Sequence, residues 1–355
     1  MIVVRPGILL DAVHVTQAVD TTDLWGQYVL AFFDASRQQP SCALQLALGP
    51  LFSESHILNC RCARRFALHE PLTSRKLTRH LPAEPPTGGL PEFEDPPVNE
   101  TVLSIQFSPL KGFTVAHFGL YWSEIRSRFP KVQVQPPLPS VMEKFDVPFQ
   151  GGPRLGFQLV MQPEVRCWFL NEAETGLIQL QSDRFINNWK KVSGNEVYPR
   201  YPSIRQTLIN EWTGFCRFLD QNGIDSPQVN QCEVTYVNHI EYKKGWQDYG
   251  ELNKVLEIWS GKTSVGFLPS PERSNMEVRY CLPGNAGRLH VSIDPVIRTR
   301  DGNEVLQINL TARGAPSDST PEQVLKWMDL GREWVVKGFT DLTSKHMHRI
   351  WRRNK

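Results

Sequence analysis

Apolar and polar positions along this chain fall into two alternating kinds of pattern, and the whole series runs twice. Over residues 102–107 the side chains alternate as in a half-buried strand. Phe118, Trp122, Ile125 and Phe129 then recur at helical spacing until Pro130 stops them. Beyond a connection carrying Pro136, Pro137 and Pro139, strands are predicted at 155–161, 165–170 and 177–189. The last is one long strand or two joined at Ser182-Asp183. A helix over 203–221 buries Ile204, Leu208, Trp212, Phe215 and Leu219, and Asn222-Gly223 ends it.

At residue 231 the order begins again. A strand is predicted at 232–240 and a helix at 246–259, followed by strands at 264–268, 276–282, 288–294 and 305–313. Thr320-Pro321-Glu322-Gln323 reads as a helix start with Thr as cap and Gln closing a capping box, and Val324, Met328, Val335 and Phe339 form the core stripe behind it.

The fold class that follows is α+β. Two internally duplicated β-α-β-β-β-β-α units are expected, with antiparallel sheets side by side, each covered on one face by a long helix. The units span 101–230 and 231–355, the second with a basic C-terminal tail. Residues 81–100 are Pro/Gly-rich and read as a linker. Residues 1–80 keep neither strand nor helix period, and read as an extension outside the core or as sequence ahead of the true start.

Strand alternation gives the clearest functional clue. Gln179, Gln181, Arg184 and Asn187 in the first half, and His290, Gln307, Asn309 and Arg313 in the second, occupy polar positions between apolar ones. Burying such rows without partners would be costly, so they face water, one another or a ligand. Amides and guanidinium groups suit recognition of peptides, carboxylates or bases. Such a row is also the ordinary solvated face of an antiparallel sheet.

Composition narrows the field. Hydrophobic residues make up 40% and charged residues 21%, a globular balance, and 39 basic residues against 37 acidic ones leave no general excess for gripping phosphate. The one basic concentration is the tail, with Lys345, Arg349, Arg352, Arg353 and Lys355. Seven scattered cysteines point to a reducing, cytoplasmic setting, and no apolar run reaches the roughly 18 residues of a membrane span. His346-Met347-His348 lacks a third metal ligand nearby, Gly151-Gly152-Pro153 is a turn rather than a phosphate loop, and no nucleophile motif is present, so no cofactor or metal is expected.

From residue 90 to 352 the chain resembles a sporadically distributed bacterial family of uncharacterised proteins. The resemblance rests on stretches such as DRFINNW, CEVTYVNHI and GREWVVKGFTDLT. It implies no catalytic residues. The doubled strand–helix order is also similar, more weakly, to the saddle of TATA-binding-protein-like folds, which implies a concave face used for recognition. Saddles that grip DNA carry wedging phenylalanines and basic residues there, whereas these rows are amide-rich.

The expected function is a non-enzymatic, accessory or defence-linked binding protein that offers its open polar face to a protein or peptide. On that view Arg184→Ala or Arg313→Ala leaves the fold intact and removes the partner. Two alternatives remain: nucleic-acid binding through the tail together with the open sheet, and a hydrolase using His290, Asp294 and Glu233 as acid–base groups.

Overall fold

The alternating segments join into a single nine-stranded antiparallel sheet in a computed structural model that describes residues 89–145, 165–259 and 266–354. Its strands are β1 (Val98–Phe107), β2 (Lys131–Gln135), β3 (Arg166–Leu170), β4 (Gly176–Gln181), β5 (Arg184–Lys190), β6 (Val229–Glu241), β7 (Met276–Cys281), β8 (Arg288–Ile297) and β9 (Glu304–Gly314). Their order across the sheet is β2-β3-β4-β5-β1-β6-β9-β8-β7. The expected pair of sheets is thus one sheet. Its seam is β1 against β6, where Leu103 lies opposite Val234 and Ile105 opposite Cys232.

Among the described residues five α-helices accompany the sheet: α1 (Val115–Ile125), α2 (Arg200–Gln221), α3 (Leu252–Val255), α4 (Pro321–Leu342) and α5 (Lys345–Ile350). The two long ones follow the stripes read from the sequence. In α2, Ile204, Leu208, Trp212, Phe215 and Leu219 are buried, joined by Tyr201 and Phe218. Phe215 sits against Phe185 of β5, with ring centroids 5.3 Å apart. In α4, Thr320 caps the first turn by accepting from the Gln323 N–H at 3.4 Å. The helix lies close to β6 at Gly331, where a Cβ would come within 3.0 Å of Val234 Cγ2. Register carries one face across the strands: Leu103, Ile105, Ile178, Leu180, Phe185, Val234, Leu310 and Ala312 all join the core beneath these helices.

Local chemistry explains where the observed elements depart from the expected ones. The helix expected over 246–259 is only a 3-10 turn at Tyr249–Glu251 followed by α3. Asp248 accepts from the Gly250 N–H at 2.7 Å, which makes a turn, and Leu256 is already extended and bridged to Thr343. Trp246 is fully buried and stacks on Tyr242 at 4.3 Å, so its apolar character is that of an anchor rather than of a helix stripe. Strand β2, a short edge strand straight after Pro130, was not anticipated. The long strand at 177–189 is indeed two, β4 and β5, turning at Ser182-Asp183. The strand expected at 155–161 lies outside the described residues; of the one at 264–268, residues 266–268 form a bend and the rest lie outside.

Residues 89–97, read as the end of a linker, pack on the C-terminus. Phe93 is buried against Phe339, His348 and Trp351 and bridges to Arg353. Among the described residues no helix is long and apolar enough to cross a membrane.

Candidate functional site

On the side of the sheet away from α2 and α4, the polar rows come together as expected, but they are not open. Residues 136–145 run from β2 across this face as an extended strap. Three glutamines hold it by its backbone. Gln181 Oε1 accepts from the Leu138 N–H at 2.8 Å, and Gln181 Nε2 donates to the Leu138 carbonyl at 2.9 Å. Gln106 does the same at Val141, both contacts being 3.1 Å. Gln231 Oε1 accepts from the Glu143 N–H at 2.9 Å, and its amide nitrogen donates to the Val141 carbonyl. Arg184 donates to the Pro139 carbonyl at 3.0 Å and to Gln106 Oε1, and Arg166 donates to the Pro136 carbonyl at 2.9 Å.

Two strap side chains reach in. Leu138 is buried with Val102 and Ile186 in a small apolar cluster. Glu143 meets Arg288 at 2.7 Å, His290 at 2.5 Å and Arg313 at 3.5 Å. Arg288 also donates to the Lys144 carbonyl at 2.9 Å and lies over the Phe145 ring at 4.4 Å. Burial pushes the Glu143 carboxyl up, but His290, Arg288 and Arg313 outweigh it and hold it at about 2. This clamp therefore contributes stability above the usual carboxyl value of 4.5 and loses it as pH falls through about 2.

Of the eight residues singled out from the sequence, seven share this face. Gln181, Arg184, His290 and Arg313 touch the strap. Gln179 lies beside it in a hydrogen-bonded row, accepting from Arg166 at 2.7 Å and Trp168 at 2.9 Å and donating to Asn188 at 3.0 Å. Gln307 meets His239 at 3.0 Å, and Asn309 donates to Ser292 at 3.2 Å. Asn187 is the exception. It stands opposite Leu103, on the helix-covered face, because it lies three positions, an odd number, from Arg184 on one strand. Arg184 and Arg313 are 2% and 7% exposed, so they are integral to the fold rather than displayed.

Sequence reading missed Gln106, Gln231, Glu143, Arg166 and Arg288. The first two stand directly opposite one another on β1 and β6. Their signal was present as polar positions at the ends of apolar-rich strands. Glu143 follows a Pro-rich run with no periodicity, so nothing local marked it.

The proposed acid–base trio does not assemble. Glu233 is engaged by Arg313 at 3.1 Å, His290 by Glu143, and Asp294 lies four residues from His290 along β8, about 13 Å away. In the tail, Arg352 pairs with Glu94 at 3.4 Å and with Asp95, while Lys345 and Arg349 are exposed; Lys355 is outside the described residues. His346 bonds to the Gly245 carbonyl and His348 to Thr343, both at 2.9 Å, so the two histidines point to different partners.

No family model, curated protein or solved structure matches this chain.

The polar row ends at a second strongly perturbed group. Asn188 donates to Glu100 Oε1 at 2.7 Å. Burial pushes this carboxyl up to about 7, only partly opposed by Asn188 and Lys190. Below about 4.5 the group is neutral in folded and unfolded chains and costs nothing; above about 7 it is ionised in both, and the native state carries the full desolvation penalty. Stability through Glu100 thus falls as pH rises between those values. Glu100→Gln is expected to stabilise the protein by up to about 3 kcal/mol at pH ~8 and to change little at pH ~4. Urea unfolding at the two pH values checks this, and an equal gain at both would refute it.

Proposed function

We propose that this chain is a non-enzymatic binding protein whose polar sheet face holds an extended peptide, with residues 136–145 as its built-in occupant. The observation that carries this reading is the set of side-chain amides matched to both the N–H and the C=O of strap residues. A carboxamide that accepts from one and donates to the other reads backbone rather than sequence. Pro136, Pro137 and Pro139 favour an extended conformation with no internal hydrogen bonds, so the strap offers its backbone at low entropic cost. Specificity then comes from Leu138 in its apolar cluster and from Glu143 among one histidine and two arginines. The partner is a protein segment of the same design: extended, Pro-rich, with an aliphatic residue and an acidic one five positions later.

The same reading takes the sheet as a duplicated saddle. From the seam outward the order is β1-β5-β4-β3-β2 on one side and β6-β9-β8-β7 on the other, and each half ends in a 22-residue helix. The strap crosses from one half to the other, as a ligand of a saddle would.

A tethered occupant outcompetes a free one because its effective concentration reaches the millimolar range. A fluorescent peptide of residues 134–145 is therefore expected to bind weakly to the native protein. A chain carrying Leu138→Gly and Glu143→Ala is expected to bind it at least about tenfold more tightly. Adding Gln181→Ala and Gln231→Ala should abolish that gain, and a scrambled peptide should not bind. Failure of the loosened chain to bind, with its far-ultraviolet circular dichroism unchanged, would sink the reading.

A further inference from the structure

A cavity of about 450 Å³ lies away from the strap, between residues 91–98, the start of α2 and one side of α4. That is within the range of small-molecule sites. Phe93, Val98, Val335 and Phe339 supply its apolar walls. Its polar end is formed by Tyr198 and Tyr236, whose hydroxyls are 2.9 Å apart, and by Arg332.

Arg332 is the unusual member. Its guanidinium lies over the Tyr201 ring at 4.7 Å and beside the Tyr236 hydroxyl, whose ionisation it favours against the opposing effect of burial. Its Nε is buried and makes no hydrogen bond. The carboxylate one helical turn earlier, Asp329, is engaged elsewhere, by Arg205 at 2.8 Å and by the Tyr201 hydroxyl at 2.8 Å. Arg332 forms no ion pair among the described residues. A half-buried cation without a counter-charge is costly unless something else supplies one.

The rim adds an independent sign. Arg200, between Pro199 and Pro202, sits at φ 66°, a left-handed conformation that costs a non-glycine residue roughly 1–2 kcal/mol. Its guanidinium donates to the Phe93 and Glu94 carbonyls at 2.8 and 3.0 Å, which fixes the segment closing the cavity. Backbone strain of this kind collects at ligand clamps.

We propose that this cavity binds a small organic monoanion: a carboxylate on an apolar body about the size of one or two rings. The acid meets Arg332 and the Tyr236 hydroxyl, and the body packs on Phe93, Val335 and Phe339.

The test compares 3-phenylpropionate and indole-3-acetate with their primary amides, by saturation-transfer NMR and calorimetry on the full chain. At least one acid is expected to bind at millimolar concentration or tighter. Its amide should bind about tenfold more weakly or worse, the worth of one charge-assisted contact. Arg332→Met should bring the acid down to its amide while leaving peptide binding at the sheet face unchanged. Equal binding of acid and amide to the native protein would overturn the proposal, as would no binding of either acid, or an acid preference that survives in Arg332→Met. Should that variant fail to fold, the acid–amide comparison on the native chain decides.

Discussion

Replacing Arg313 by alanine is expected to lower the unfolding free energy by about 3–5 kcal/mol, the usual consequence of removing one partner from a buried ion pair. Its guanidinium meets Glu233 at 3.1 Å and Glu143 at 3.5 Å, and all three side chains are 4–8% exposed. Glu143 retains Arg288 and His290 when Arg313 is gone. Glu233 keeps no ion-pair partner among the described residues, so its carboxylate would be stranded on the sheet between Gln231 and Thr235. Removing both charges with Arg313→Met and Glu233→Met should restore more than half of the loss, since the penalty belongs to the unpaired charge rather than to the pair. Urea unfolding of the two single variants and the double variant measures this coupling. An Arg313→Ala protein within about 1 kcal/mol of the native one would show that the cluster is solvated and the strap loosely held.

Phe215→Ala is expected to cost a similar amount, about 3–5 kcal/mol, for a different reason. The Phe215 ring is fully buried, with Tyr121 and Phe185 centroids at 5.3 Å, Trp212 at 5.9 Å, Phe107 and Phe113 at 6.3 Å and Phe218 at 6.5 Å. These rings come from β1, β5, α1, α2 and the turn before α1, so none can move into the void without disturbing another element. Phe215→Leu keeps most of the volume and should cost less than about 2 kcal/mol. Equilibrium unfolding, with near-ultraviolet circular dichroism to report on the aromatic cluster, checks both. A loss under about 1 kcal/mol for the alanine variant would mean that α2 can collapse onto the sheet.

The periodic parts of the chain were legible because period is what packing imposes. Both long helices and eight of the nine strands, all but β2, lie where alternation or helical spacing places them. Alternation also identified the polar face, since it tells which side of a strand each residue takes. It does not tell what lies against that side. The strap that covers the face has an exposed, Pro-rich backbone held by side chains from β1, β3, β4, β5, β6, β8 and β9, and such contacts leave no repeating mark in its own sequence. Asn187 was misplaced for a simpler reason. Arg184 and Asn187 are an odd number of residues apart, so no strand can show both on one side. The helix expected after β6 is broken because Asp248 and Gly250, turn-forming residues, interrupt the apolar residues at helical spacing.

The seam between β1 and β6 has a consequence for how the chain is made. Emerging from the ribosome, β1 can pair with β5 as soon as the first half is complete, but its other edge waits for residues 229–241. During that delay an apolar-rich strand destined for the middle of the sheet stands bare, a template for the wrong neighbour. Closing so distant a pairing is also slow. Assembly of this protein is therefore most vulnerable to off-pathway association at its centre rather than at its rims.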